Sequence, residues 1–305
     1  MKNLRIFFQI LLMLFLIPCL IYAEKTHLET CYKEDKNNKK NGEPVPLGNF
    51  SLPTSQQPGP LVSFGQNILD KGQAQIFLFA DAFIGKNSYL TDIFPSVLYG
   101  ITDDLYFFFS VPFSPGNKDR DNHSSGLEDI FAQLEYTFYL KNSSHSVDQA
   151  TIVANVTFPS GSVSKIPPTG FGSNSFFIGA TFNHMEINWF FFTSPGAILT
   201  TSKHGTKFGN QFLYEFALGR NISSPPGWIF AWMVELDGLY SWKNKFHGIS
   251  DPNSGGNIIY ITPSIWISSK RLILQFGPGY PIIQHLFGNQ SKKFLSFDFN
   301  LGITF

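Results

Sequence analysis

From Leu295 to Phe305 the chain alternates strictly. Leu295, Phe297, Phe299, Leu301, Ile303 and Phe305 share one face, and Ser296, Asp298, Asn300, Gly302 and Thr304 share the other. A period of two with one oily and one wet side is the pattern of a β-strand between two different solvents. The same texture recurs from Gln73 onward: Ile130, Ala132, Leu134, Tyr136 and Phe138 interleave with Asp129, Gln133, Glu135 and Thr137. Ala150, Ile152, Ala154, Val156 and Phe158 interleave with Thr151, Asn155 and Thr157. About twelve strands are predicted, at 73–84, 90–100, 104–113, 127–140, 149–158, 173–183, 185–199, 208–220, 227–241, 256–268, 270–281 and 293–305. Most are long enough for a tilted strand to cross a bilayer, which takes about 9 to 11 residues. Leu105 to Val111 is apolar on both faces and fixes no parity.

The connections alternate in length. The expected turns Gly100–Asp103, Lys141–Asp148, His184, Asn221–Pro226 and Ser269 are short. The expected loops Ser114–Gly126, Pro159–Gly172, Thr200–Lys207, Trp242–Gly255 and Ile282–Lys292 are mostly longer and rich in Gly, Pro, Asn, Ser, Asp and Lys. Gly85–Tyr89 is a short exception. Short turns at one end and long loops at the other are the habit of outer-membrane barrels. Trp228 and Tyr240 share a parity twelve residues apart, roughly 30 Å along the membrane normal for a strand tilted about 40°. That matches two aromatic girdles, which Trp189, Trp232, Trp266, Tyr136, Tyr139 and Tyr260 are placed to join. The predicted fold class is all-β, a transmembrane antiparallel β-barrel of about twelve strands. A secreted β-sandwich would also alternate, but it would not need loops of alternating length.

Composition strengthens the membrane reading. Charged residues make up 14% of the chain and aromatics 16%, with 34 Phe, whereas an ordinary soluble domain carries about 25% charge. Net charge is zero and no basic block occurs, so nothing points to nucleic acid. Lys2 and Arg5 precede an apolar run ending near Pro18 and Ala23, which predicts a signal peptide over 1–23, cleaved on export. Cleavage leaves Cys31 alone, without a partner for an internal disulfide. Residues 24–72 hold a hydrophilic Lys33–Lys40 stretch followed by Pro44, Pro46, Pro53, Pro58 and Pro60. They are predicted to be a flexible periplasmic tail, with a plug folded back into the barrel as the alternative. The barrel is assigned to 73–305.

Three motifs occur in order along this barrel: Tyr99-Gly100-Ile101-Thr102-Asp103-Asp104-Leu105, Gly126-Leu127-Glu128-Asp129-Ile130 and Phe158-Pro159-Ser160-Gly161. Together they resemble the Tyr-Gly-Leu-Thr-Asp, Gly-Leu-Gly-Asp and Leu-Pro-Thr-Gly signatures of the outer-membrane barrel family named for the meta-pathway of phenol degradation. Glu128 replaces a Gly and Ser160 a Thr. The resemblance implies an outer-membrane location and passage of small hydrophobic or aromatic compounds. The terminal Phe305 resembles the signal read by the barrel-assembly machinery. Outer-membrane lipid is the other expected partner.

Parity places Asp81, Asp129, Glu135, Glu215, Glu235, Asp237 and Asp298 in the lumen, with Gln133, Asn155, Gln275 and Asn300 between them, Met233 as an apolar lumen residue and Arg271 as the clearest inward cation. These are the candidate ligand-path residues. An acidic, water-filled pore favours cations and neutral solutes; a plugging polar network is the equal alternative. The seven histidines lack metal-ligand spacing, and neither a metal nor a cofactor is expected. Asn122-His123-Ser124-Ser125-Gly126 matches a lipid hydrolase only superficially, because a triad needs a positioned base and an orienting partner. A third reading is a non-conducting barrel whose external loops bind a partner.

Overall fold

The computed structural model describes residues 47–65, 68–143 and 145–305. The predicted signal peptide and the tail as far as residue 46 lie outside them. The chain forms β1 (Ala74–Gly85), β2 (Ser88–Gly100), β3 (Leu105–Ser110), β4 (Phe113–Asp119), β5 (Asn122–Leu127), β6 (Ile130–Asn142), β7 (Ser146–Phe158), β8 (Ser175–Glu186) and β9 (Trp189–Thr200). There follow β10 (Thr206–Lys207), β11 (Gln211–Ser223), β12 (Trp228–Ser241), β13 (Lys245–Phe246), β14 (Ile249–Ser250), β15 (Gly256–Ser269), β16 (Leu272–Leu286) and β17 (Lys293–Thr304).

β3 and β4 both pair with β2, and β5 pairs with β4 while β6 pairs with β3. Each of these two pairs of segments is therefore one wall strand, interrupted at Val111-Pro112 and at Glu128-Asp129. Proline has no amide hydrogen to give to a ladder, and the break is bridged by the Glu128 amide donating to Pro112 O at 3.0 Å. Counted this way, twelve strands run antiparallel to their neighbours, and pairing of β1 with both β2 and β17 closes the sheet without an edge. Closure gives every wall strand a hydrogen-bonded neighbour on both sides, as a hydrocarbon surround requires.

The barrel is oily outside, and its interior combines buried polar side chains with a hydrophobic cluster that includes Phe77, Phe108, Phe190, Met233 and Trp266. Outward side chains such as Leu134 (48% exposed), Tyr136 (52%), Ile178 (57%) and Ile265 (49%) alternate with buried Gln133, Glu135, Thr181 and Ser264. A large apolar surface facing outward on every wall is unstable in water and stable in lipid. Trp189 and Trp232 lie on this exterior, 6.3 Å apart edge to face. Tyr260 and Trp266 do not: both are buried on the inner parity of β15, so their expected place in the outer belts is corrected.

Several connections also differ from expectation: Trp242–Gly255 contains β13 and β14, β16 runs to Leu286 inside the expected loop Ile282–Lys292, and the turn expected at Asn221–Pro226 falls between Ser223 and Trp228. Ser114–Gly126, expected as a loop, is mostly the β4–β5 hairpin, which extends the wall beyond the long-loop rim. The turn expected at His184 falls at 187–188, leaving His184 within β8 beside Asp148 of β7. The strands flanking the expected turn Lys141–Asp148 reach further than expected, β6 to Asn142 and β7 from Ser146.

The largest correction concerns the expected flexible tail. Residues 47–65 enter the barrel at its short-turn end, rise to mid-height and return, through 68–73, to the start of β1. At the entrance the Asn49 amide donates to Ile187 O (2.8 Å), Asn49 Nδ2 donates to Glu186 O (2.8 Å) and Ser224 Oγ donates to Gly48 O (2.8 Å). Gly48 has φ +57°, and a Cβ there would lie 2.0 Å from Ile187 O, so the chain turns in under the wall only with glycine. Composition suggested a linker because the segment has little periodicity. Its backbone groups find partners on the barrel's inner face instead of in water.

Candidate functional site

The site is the lumen and the segment inside it. Rising from the entrance, the plug meets a ladder of inward polar side chains that successive strands present every second residue. Gln56 Nε2 and Gln75 Nε2 both donate to Thr304 Oγ1 (2.6 and 2.7 Å), and Ser268 Oγ donates to Gln56 O (2.7 Å). Gln275 Nε2 donates to Gly59 O (2.7 Å). At mid-height the Glu235 carboxyl receives two consecutive plug amides, Leu61 N–H at 2.9 Å and Val62 N–H at 3.1 Å, one on each oxygen. Ser63 Oγ contacts Ser194 Oγ, which donates to Glu215 (2.8 Å), and Thr181 Oγ1 donates to Gly65 O (3.0 Å).

Apolar knobs accompany these bonds. Leu61 is buried and sits over Gly277, where a Cβ would lie 2.9 Å from its Cδ2. Phe64 packs edge-on against Phe177 (centroids 4.5 Å apart), above the cross-strand pair Gly179 and Gly196. A Cβ at Gly179 would lie 2.5 Å from the Phe64 ring, and one at Gly196 2.8 Å from it. Two adjacent strands thus omit a side chain at one height, leaving a recess that an aromatic of the plug fills.

The expected lumen residues are distributed as follows. Glu135, Glu215, Glu235, Asp237, Gln133, Gln275, Asp298, Asn300 and Met233 are buried inside the barrel, and Asp81 faces a cavity alongside Glu135 and Asp298. Several of these acids accept hydrogen bonds from hydroxyls and amides. Gln133 donates to Glu135 (2.8 Å), Thr262 to Asp237 (2.8 Å) and Ser296 to Asp298 (3.1 Å), while Asn300 donates to Gln275 (2.8 Å). Arg271 is not inward. It is exposed in the turn 270–271 between β15 and β16, where water solvates the guanidinium, and that expectation is corrected.

Asn155 and Asp129 belong to the long-loop mouth. Asp129 accepts the amides of Gly161 (2.8 Å) and Phe171 (2.6 Å), pinning the 159–174 loop across the opening. Burial raises the Asp129 carboxyl above its ordinary range, against the pull of those two amides. Glu128, beyond the spanning part of the wall, is pushed up to about 10, first by burial and then by the neighbouring Asp92 carboxyl.

Two cavities follow from this arrangement. An outer one of about 420 Å³ is lined by Phe94, Pro112, Glu128, Asp129, Phe131, Phe171 and Phe208 among others, beneath the break in the wall. An inner one of about 220 Å³ is lined by Phe79, Phe94, Phe108, Phe131, Asp81, Glu135, Asp298 and plug residues Leu61 to Gly65. Phe94 and Phe131 line both. The Phe79 and Phe108 rings are 6.3 Å apart, and those of Phe108 and Phe131 stack at 5.8 Å, so an aromatic column descends from the mouth to the plug. Sequence reasoning missed this column, although Phe79 shares the inward parity of Asp81 and Phe131 that of Glu135; Phe108 lies on the run that is apolar on both faces and fixes no parity. His123 of the hydrolase-like motif is exposed on β5, its ring 6.5 Å from Tyr89. Among the described residues no cluster of three or more metal-ligating side chains occurs.

Fold and lumen together define an outer-membrane type β-barrel with an internal plug. No protein-family model matches the chain, and no curated protein matches it in sequence. Among solved structures it is similar to an outer membrane channel from Pseudomonas putida F1, with TM-score 0.67 and 14% identity over 80% of this chain and 100% of that one. It also matches the NanC porin (TM-score 0.45, 10% identity, 75% of this chain and 98% of that one) and the β-domain of the Bordetella autotransporter BrkA (0.45, 10%, 77% and 100%). The first establishes a shared fold; the other two, below 0.5, add nothing to it.

Proposed function

We propose that the protein is a gated outer-membrane conduit for small hydrophobic or aromatic molecules, with residues 47–65 as its gate. The observation that carries this reading is the pair of aromatic-lined cavities sharing Phe94 and Phe131, the inner of which ends on plug residues Leu61 to Gly65. Ring faces and edges offer an apolar solute a path of stacking contacts, and the acids at its inner end serve a polar substituent. Likeness in fold to an outer membrane channel agrees with the reading, as does the resemblance of the Tyr99–Leu105, Gly126–Ile130 and Phe158–Gly161 motifs to the phenol meta-pathway barrel family. The reading includes export by a cleaved signal and recognition of the β17 end, where Phe305 is 70% exposed, by the barrel-assembly machinery. It contains no catalytic step.

The test is uptake of a small aromatic solute, and ionic conductance, in bilayers holding either the full protein or a variant with residues 49–64 replaced by a Gly/Ser linker. The gated reading expects low conductance from the full protein, a large rise on plug replacement, and a blockade by aromatic solute that Phe94→Ala plus Phe131→Ala weakens. A folded, plug-replaced barrel that conducts no better than the full protein refutes it.

A further inference from the structure

The exterior of the long-loop rim carries a second concavity, separate from the aromatic path. It has a volume of about 730 Å³ and is bounded by three different connections: the β1–β2 turn, the tip of the β4–β5 hairpin and the 287–292 loop before β17. Each connection contributes positive charge, Lys86 from the first, Lys118 and Arg120 from the second and Lys292 from the third, with Asp121 as the only acid among its lining residues. Among the described residues no carboxylate lies within ion-pair distance of any of these four cations. Asp119, between Lys118 and Arg120 on the hairpin, receives a long hydrogen bond from Ser291 (3.4 Å).

This convergence is built into the backbone. The Lys86 amide donates to Lys292 O (3.2 Å), and the Arg120 amide donates to Asn87 O (2.9 Å). Both Asn87 and Arg120 hold positive φ, +56° each, a conformation non-glycine residues adopt when the surrounding turn imposes it. Three chain segments stitched together in this way present their cations at fixed positions, so the repulsion among the four is already borne by the folded barrel. An anion that neutralises them recovers that energy. Arg and Lys in one concavity suit a group with several anionic oxygens, the guanidinium as a fork and the ammoniums as point charges. On the same wall Phe294, 51% exposed, offers an apolar surface beside the charges. Charge next to a bare aromatic at a membrane rim matches an amphiphile whose head carries phosphate.

We infer that the Lys86, Lys118, Arg120 and Lys292 concavity binds phosphomonoester groups, presented by the phosphorylated sugar head of an outer-leaflet lipid or by a free phosphorylated solute. This goes beyond the conduit reading and does not depend on it. The experiment is native mass spectrometry of the full protein titrated with bisphosphorylated lipid A, fully dephosphorylated lipid A or inorganic pyrophosphate. The comparison variants are K86Q/K118Q/R120Q/K292Q and, as a control on another loop, K203Q/K207Q. Removing all four rim cations takes away the charge that attracts an anionic head group, so the quadruple variant is expected to lose at least about tenfold in affinity for the bisphosphorylated lipid. Removal of the phosphates is expected to cost a similar factor, and the control variant none. Displacement of the lipid by pyrophosphate identifies phosphate itself as sufficient and admits soluble occupants; failure to displace it assigns the site to lipid. The inference is overturned if the quadruple variant, shown folded by its heat-modifiable gel mobility, binds as the wild type does, or if dephosphorylated lipid binds equally. Should the quadruple variant not fold, K86Q/K292Q and K118Q/R120Q separate the two sides of the site. Each is then expected to lose part of the affinity, and undiminished binding in both overturns the assignment.

Discussion

Glu235 is the group whose removal should open the barrel. It is 1% exposed, and its two oxygens take the amides of Leu61 and Val62 at 2.9 and 3.1 Å. Glu235→Ala leaves two plug N–H groups facing a space vacated by a carboxyl, and each unpaired buried donor costs about 1–3 kcal/mol. Water entering the space recovers part of this, so the low end, about 2 kcal/mol in total, is the fitting estimate. That cost falls on the seated plug alone, because a withdrawn plug bonds to water in either protein. A 2 kcal/mol loss shifts the seated-to-withdrawn ratio roughly thirtyfold. Glu235→Gln keeps one acceptor oxygen and should fall between the two. The assay is the open fraction of single barrels in planar bilayers, read beside the heat-modifiable mobility that reports folding. An open fraction for folded Glu235→Ala barrels within about threefold of wild type would refute the latch, since it corresponds to less than one tenfold step in the equilibrium.

Other outcomes follow from the same contacts. Ser63→Cys with Ser194→Cys, in a Cys31→Ser background, should oxidise to a disulfide because the two hydroxyls already touch, holding conductance low until a reductant is added; conduction equal in both redox states would argue against seating at mid-height. Gly179→Val should displace Phe64, whose ring lies 2.5 Å from the new Cβ, raising conductance while lowering barrel stability by about 1–3 kcal/mol; unchanged conductance would sever Phe64 from the gate. The Glu128 carboxyl, held up near 10 by burial and Asp92, contributes stability fully present below its ordinary value near 4.5 and lost as pH rises through 10. Melting temperature should therefore fall between pH 7 and 10 and flatten in Glu128→Gln; an identical fall in the variant would place the titrating group elsewhere.

The wall was readable from the chain because its solvent is inverted. Period-two alternation records which face meets lipid, and the runs around Gln133–Phe138 and Leu295–Phe305 carry it without interruption. The β4–β5 hairpin escaped notice because it lies beyond the lipid, where nothing forces apolar residues outward, and Asn122-His123-Ser124-Ser125 reads as a loop. The plug, open in the sequence only as the alternative to a flexible tail, was not favoured for a related reason. Many of its donors and acceptors are backbone groups, which no side-chain pattern reports, and partners such as Gln275 and Glu235 come from strands far away along the chain. Pro53, Pro58 and Pro60 suit a segment that takes its hydrogen bonds from elsewhere, but they suit a linker equally well. One trace was on the page: Gly179 and Gly196 empty the inner face at a single height, which wastes packing unless something else occupies the space. Arg271 was misplaced because parity was carried one residue past the end of a strand into a turn.

The plug leaves the barrel by the same end at which it enters, and its last residues continue directly into β1. It behaves as a ligand that can never diffuse away: a short tether fixes its local concentration in the millimolar range. On the gated reading, reclosure after each opening therefore needs no encounter step. If the plug gates the barrel as proposed, a free peptide spanning residues 47–65 should stop a plugless barrel only when supplied at comparable millimolar levels, and any factor that held the barrel open would have to compete with the chain's own leash.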